Sequence, residues 1–207
     1  MSAAKNQLLQ RYTAQLVAHP LRTKAITAGV LSFLQEILAS HLAGVPSRAP
    51  KSASAPRHAL AAMKVDARAF KMALYGFCVS APLGHVLVGR LQQTFAGRKL
   101  HQILASNLLV APIQTVVYLT CMAIIGGAKS VGEVKQTIKG GFMAVMRVTW
   151  MTSPIATIFA QKYVPQELWV PFFNMVTFVL GTYFNTKVKI LKRRAEQAKK
   201  DREARGE

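Results

Sequence analysis

Residues 141–185 read GFMAVMRVTWMTSPIATIFAQKYVPQELWVPFFNMVTFVLGTYFN, and the fold class turns on this stretch. It holds an apolar run containing Trp150 and Pro154, a short break at Tyr163-Val164-Pro165, and a second apolar run from Leu168 to Phe184. Between Glu167 and Lys187 there are 19 residues without a formal charge, close to the ~20 that a helix needs to cross the hydrocarbon core of a bilayer. In a small chain such a run needs lipid or a large partner to cover it. The theme repeats upstream, so the expected fold class is all-α: an integral membrane helix bundle of about four transmembrane helices, with amphipathic surface helices beside it.

Composition points the same way. The chain is 51% hydrophobic, yet its net charge is +19. A soluble nucleic-acid binder would intersperse its positive charge along exposed faces. Here Lys and Arg avoid the apolar runs and gather at their ends, where lipid head groups lie, so no nucleic-acid partner is expected. Cys78 and Cys121 both fall inside apolar runs and read as small core residues rather than a disulfide or metal pair. The N-terminus lacks the apolar core and cleavage site of a secretory signal.

Hydropathy and breaks give the organisation. Residues 1–24 carry Lys5, Arg11, Arg22 and Lys24 with no acid, and Leu8, Leu9, Tyr12, Leu16 and Val17 recur at helical spacing, which predicts an amphipathic surface helix ended at His19-Pro20. An acid-free basic start also resembles a mitochondrial presequence. The transmembrane bundle is expected over residues 25–186, with spans at about 25–45, 69–89, 103–127 and 168–186. Arg147 leaves only 14 uncharged residues before Lys162, so 142–161 reads as a short, tilted or re-entrant segment. Residues 46–68 form a flexible Pro/Ser/Ala loop, and 187–207 a basic charged tail whose start holds anionic lipid.

Polar residues inside the spans are the candidate functional groups. Glu36 either faces protein or water within the first span or marks its boundary. His85 reads as a packing histidine or a pore-mouth group. Asn107, Gln114 and Cys121 are seven apart and share one face of an α-helix, which either lines water or bonds a neighbouring helix; Asn174 belongs to a similar face in the last span. Gly76, Ser80 and Gly84 recur every four residues as a flat ridge for close helix packing, and Pro82 and Pro112 are expected to kink their helices. Ser130 and Glu133 have the spacing of a capping box. No nucleophile elbow, phosphate-cradling loop or metal-ligand spacing occurs, so no catalytic, cofactor or metal site is expected and the chain does not read as an enzyme.

With these residues laid out, the chain resembles the Mpv/PMP family of small peroxisomal and mitochondrial inner-membrane proteins. The resemblance runs from Tyr12 and Ala18-His19-Pro20, through Asp66, Arg68, Gly76 and Ala81-Pro82 with His85, to the closing signature of Trp150, Pro154, Phe159, Tyr163-Val164-Pro165, Asn174 and Tyr183. Ala81 stands where glycine is usual, Ser106 where aspartate is common, Trp169 where arginine follows the Val-Pro, and Gly181 where tryptophan is common. The motif spacing is closer to the peroxisomal branch. The resemblance implies a multi-pass peroxisomal membrane protein forming a non-selective channel for small metabolites, with the mitochondrial inner membrane as the alternative location and a non-channel scaffold or tether as the alternative role. The partners it implies are the lipid bilayer, small solutes, the peroxisomal membrane-protein import machinery and further copies of the chain in a homo-oligomer.

Overall fold

A computed structural model describes residues 2–46, 65–165 and 168–205. Most of the loop expected over 46–68 lies outside them. Six helices carry the described chain: α1 (Ser2–Ala18), α2 (Pro20–Leu42), α3 (Ala67–Thr94), α4 (Leu100–Ile125), α5 (Val131–Tyr163) and α6 (Trp169–Arg205). Among the described residues there is no strand, and α2, α3, α4 and α5 are long and apolar enough to cross a membrane. The expected all-α membrane bundle with about four spans is what the chain forms.

Local chemistry sets the helix ends. Pro20 starts α2, where its missing N–H would have had no partner. Asp66 caps α3 by accepting from Ala69 N at 3.0 Å. At the start of α5, Ser130 Oγ accepts from Glu133 N at 3.2 Å, while the Glu133 carboxylate reaches back to Lys129 N at 2.9 Å. Gly127, with φ 92°, turns the chain after α4 in a conformation that favours glycine.

The set of apolar spans differs from the sequence expectation in its last member. Residues 142–161 lie within the uninterrupted 33-residue α5, with Pro154 inside it. Helix α6 continues straight from the apolar segment into the basic one, so the charged tail is helical to Arg205. Its apolar half is diluted by Asn174, Thr177, Thr182 and Asn185, and it is not among the four helices with the hydropathy of a span.

Packing makes a ring: α2 contacts α3 and α6, α3 contacts α4, α4 contacts α5, and α5 contacts α6, with α1 laid against α2. Small residues fill the contacts. Ala25, Ala39, Ala69 and Ala160 are buried, while Leu108, Ile113, Met151 and Ile155 face outward. In lipid there is no gain from hiding large apolar side chains inside, so close backbone approach and polar contacts hold the helices instead. The cysteines are not core residues: Cys78 is exposed and Cys121 half-buried, because the outer face of a membrane helix accepts a thiol as readily as a methyl group.

The two expected proline kinks are five-residue π-helical turns, Gly76–Ser80 before Ala81-Pro82 and Ser106–Val110 before Ala111-Pro112. Each turn inserts one residue into the α-register and so rotates the remainder of its helix by about 100°. That is why Gly76 and Gly84 do not share a face. A Cβ on Gly76 would collide with Ala28 O and come within 2.5 Å of Ser32 Oγ, both on α2, whereas one on Gly84 would meet Gln114 Nε2 of α4 at 3.2 Å. Ser80 lines an interior cavity instead.

The π turn in α4 also places Trp150. Ala111 N–H reaches back to Ser106 O and Pro112 has no N–H, which leaves the Asn107 carbonyl without a donor from its own helix. Trp150 Nε1 donates to that carbonyl at 2.9 Å, tying α5 to α4.

Two measurements of unfolding in detergent check this packing. Gly76→Ala is expected to destabilise the bundle by about 1–3 kcal/mol because backbone blocks the new methyl, whereas Gly84→Ala displaces only a flexible amide and costs less. Trp150→Phe is expected to cost about 1–3 kcal/mol in the native chain. In a Pro112→Ala background the restored amide serves the Asn107 carbonyl, so the same change costs clearly less.

Candidate functional site

The polar interior of the bundle has two parts, an ion cluster and a cavity. Glu36, on the α2 face with Ser32 and Ser40, is fully buried. Its Oε1 lies 2.8 Å from Arg68 Nε of α3 and 2.5 Å from Lys189 Nζ of α6, and its Oε2 accepts from Asn185 Nδ2 of α6 at 2.6 Å. Lys189 also donates to Ser40 Oγ and, at 3.2 Å, to the Glu36 carbonyl. One turn further, Arg193 donates to the carbonyls of Ala43 and Gly44 at 2.6 Å each, capping the C-terminus of α2. One carboxylate on α2 thus holds α3 and α6, with both oxygens engaged.

The cavity, about 350 Å³, lies between α2, α3, α4, α5 and α6. Its polar lining includes Gln35, Tyr75, Ser80, Gln114, Tyr118 and Asn174, and among the described residues no charged side chain lines it. Gln35 Nε2 donates to Thr177 O and Phe178 O of α6 at 3.2 and 3.3 Å. A Cβ on Gly181 would stand 2.5 Å from that amide, so the residue in the place of the family's tryptophan is what admits Gln35. Asn174 Nδ2 donates to Tyr12 OH at 3.5 Å, and Tyr12 in turn lies 3.5 Å from Thr27 Oγ1, which joins α1 to the bundle.

Of the polar residues singled out in the sequence, the structure brings Gln114 and Asn174 together in the cavity. Glu36, His85 and Asn107 do not line it. Glu36 belongs to the ion cluster, His85 is half-buried on α3, and Asn107 Nδ2 donates to Ile103 O of its own helix at 2.9 Å. Asn107 and Gln114 part because the π turn between them breaks the seven-residue register. Within the closing signature, Trp150 serves the Asn107 carbonyl and Val164 O accepts from Trp169 Nε1 at 3.0 Å across the turn that holds Pro165, so these members act in the packing. Tyr163 is exposed, its ring 5.0 Å from that of Phe159.

Sequence reasoning missed Arg68, Lys189 and Asn185 as members of a site. A signal was there, since Ser32, Glu36 and Ser40 recur every four residues, as do Asn185, Lys189 and Arg193. What the spacing lacks is the pairing of the two stripes.

Replacing Glu36 by Leu leaves two cations facing each other without a carboxylate, which is expected to cost about 3–5 kcal/mol in detergent unfolding. The triple change Glu36→Leu, Arg68→Leu, Lys189→Met removes the charges together and is expected to recover most of that loss.

Residues 123–185 match the Mpv17 / PMP22 family. The chain is 50% identical to the Woronin body membrane protein wscA of Aspergillus fumigatus, over 95% of this chain and 82% of that one. It is 47% identical to the Woronin sorting complex protein of Neurospora crassa, over 92% of this chain and 60% of that protein's length. With the peroxisomal membrane protein PMP22 of Arabidopsis thaliana it shares 26% identity over 91% of this chain and 93% of the relative. No solved structure matches it. A multi-pass helical bundle, the Trp150–Pro165 signature and these similarities lead to one conclusion: the chain belongs to the Mpv17/PMP22 family.

Proposed function

We propose that the chain acts without catalysis, as a membrane-embedded scaffold that assembles a sorting complex in the peroxisomal or Woronin body membrane. The observation that carries this reading is the closed Glu36 cluster. The one acid deep within a span has both oxygens engaged by Arg68, Lys189 and Asn185, which suits a fixed clasp rather than a gate or an ion path. The clasp also aims α6: with Lys189 and Arg193 tied to α2, the helix continues for about 18 Å over residues 194–205, with Arg194, Gln197, Asp201 and Arg202 exposed for partners. The names of the wscA and Woronin sorting complex relatives support an assembly role.

A second reading, passage of small solutes, is favoured by the cavity that holds Gln114 and Asn174. Its uncharged lining suits neutral solutes better than ions.

Both readings are tested on one tagged protein. Imaging against peroxisomal, Woronin body and mitochondrial markers, with carbonate extraction, is expected to give a carbonate-resistant peroxisomal or Woronin body signal; a mitochondrial signal overturns the location. In an Aspergillus fumigatus strain lacking wscA, the full chain is expected to restore Woronin body sorting and a chain ending at residue 193 to fail. Liposomes holding the pure protein are expected to leak solute no faster than empty ones. Leakage that Gln114→Leu abolishes would favour the channel instead.

A further inference from the structure

The outer face of α5 carries a charge that the bundle does not use. Between Lys139 and Lys162, Arg147 is the one charged residue in an otherwise apolar run that spans about 33 Å, the thickness of a hydrocarbon core. Its side chain is exposed, and it makes no ion pair among the described residues. It sits about 12 Å along the helix from Lys139, which is deep for a guanidinium facing lipid. Of the four apolar spans, α5 is also the least buried.

The surroundings of Arg147 have the form of a helix-packing face. Gly140, Ala144, Arg147, Met151, Ile155 and Ile158 recur at intervals of four and three, so they lie along one side of α5, and all six are exposed. A Cβ on Gly140 would meet nothing within 4 Å, so the groove above this glycine is open. Two small residues four apart let a second helix approach closely in lipid. The arginine beside them asks for an anion at the same depth.

We propose that this face docks a transmembrane helix of a different membrane protein, one that carries an aspartate or glutamate at the level of Arg147. A second copy of this chain does not fit. Its acids are Glu36, Asp66, Glu133, Glu167, Glu196, Asp201, Glu203 and Glu207, and the one deep within a span, Glu36, is already held by Arg68 and Lys189. With Lys139 among the lipid head groups, where basic residues at the end of an apolar run belong, a phosphate would stand about two turns from Arg147, whereas a helix-borne carboxylate reaches the depth of Arg147 without moving the arginine. The proposal gives the scaffold reading a partner chemistry and rests on it only in requiring a partner.

The test uses the full chain in phosphatidylcholine vesicles with synthetic Leu/Ala transmembrane peptides bearing a single mid-span Glu or Gln, association being read by energy transfer between labels. The Glu peptide is expected to associate about tenfold more strongly than the Gln peptide. Arg147→Leu should erase that preference, and Arg147→Lys should keep part of it. Gly140→Leu should weaken both peptides by blocking close approach. Equal association of the two peptides, or a preference that survives Arg147→Leu, overturns the proposal. So does a preference lost when about a third of the lipid is phosphatidylserine, since Arg147 then serves head groups by snorkelling. The assay contains no sorting complex, so its failure and the failure of the scaffold reading in cells are separate results.

Discussion

A carboxylate cannot sit inside a membrane bundle unless something of opposite charge comes to it, and this requirement at Glu36 governs the arrangement of the helices. Removing a charge from water costs several kcal/mol after relaxation, and only good geometry with several partners offsets it. Arg68 at the start of α3, together with Lys189 and Asn185 near the middle of α6, meets the requirement from two sides. One side chain therefore ties both α3 and α6 to α2. Arg193 extends the same logic by one turn, satisfying carbonyls that the end of α2 leaves free.

Proline shapes the other half of the bundle. In lipid a backbone carbonyl without a donor has no water to turn to, so a proline within a span needs a local remedy. In α4 the remedy is a side chain from a neighbour: the indole of Trp150 takes the place of the amide that Pro112 lacks. The bond repairs α4 and at the same time fixes α5 against it. Trp169 performs a related service at the turn before α6, where its indole meets the Val164 carbonyl. Two tryptophans thus supply donors to backbone oxygens where the helices break.

The interior and exterior obey opposite rules. Inside, small residues bring backbones together at Gly76 against Ala28 and Ser32, and at Gly181 against Gln35, while uncharged polar groups surround the cavity. Outside, leucine, isoleucine and methionine cover the spans. Arg147, with Gly140 and Ala144 beside it, departs from the outer rule and has the composition of the inner one.

The membrane class, the helices and most of their ends are legible in the sequence because they are local. An uncharged run of about 20 residues has few options other than a helix in lipid, and Pro20, Asp66, Ser130 and Gly127 act through their own local backbone. The family resemblance is local too, carried by Trp150, Pro154 and Tyr163-Val164-Pro165. Which polar residues meet is not local. The stripe of Asn107 and Gln114, and the ridge of Gly76 and Gly84, keep an α-helical period that the π turns interrupt, and no sequence pattern announces the extra residue. Lys189 reads as a lipid-facing tail residue until α6 is seen to run beside α2, 153 residues away along the chain. Ion pairing between distant segments depends on the closing of the ring of helices, which belongs to the tertiary structure alone.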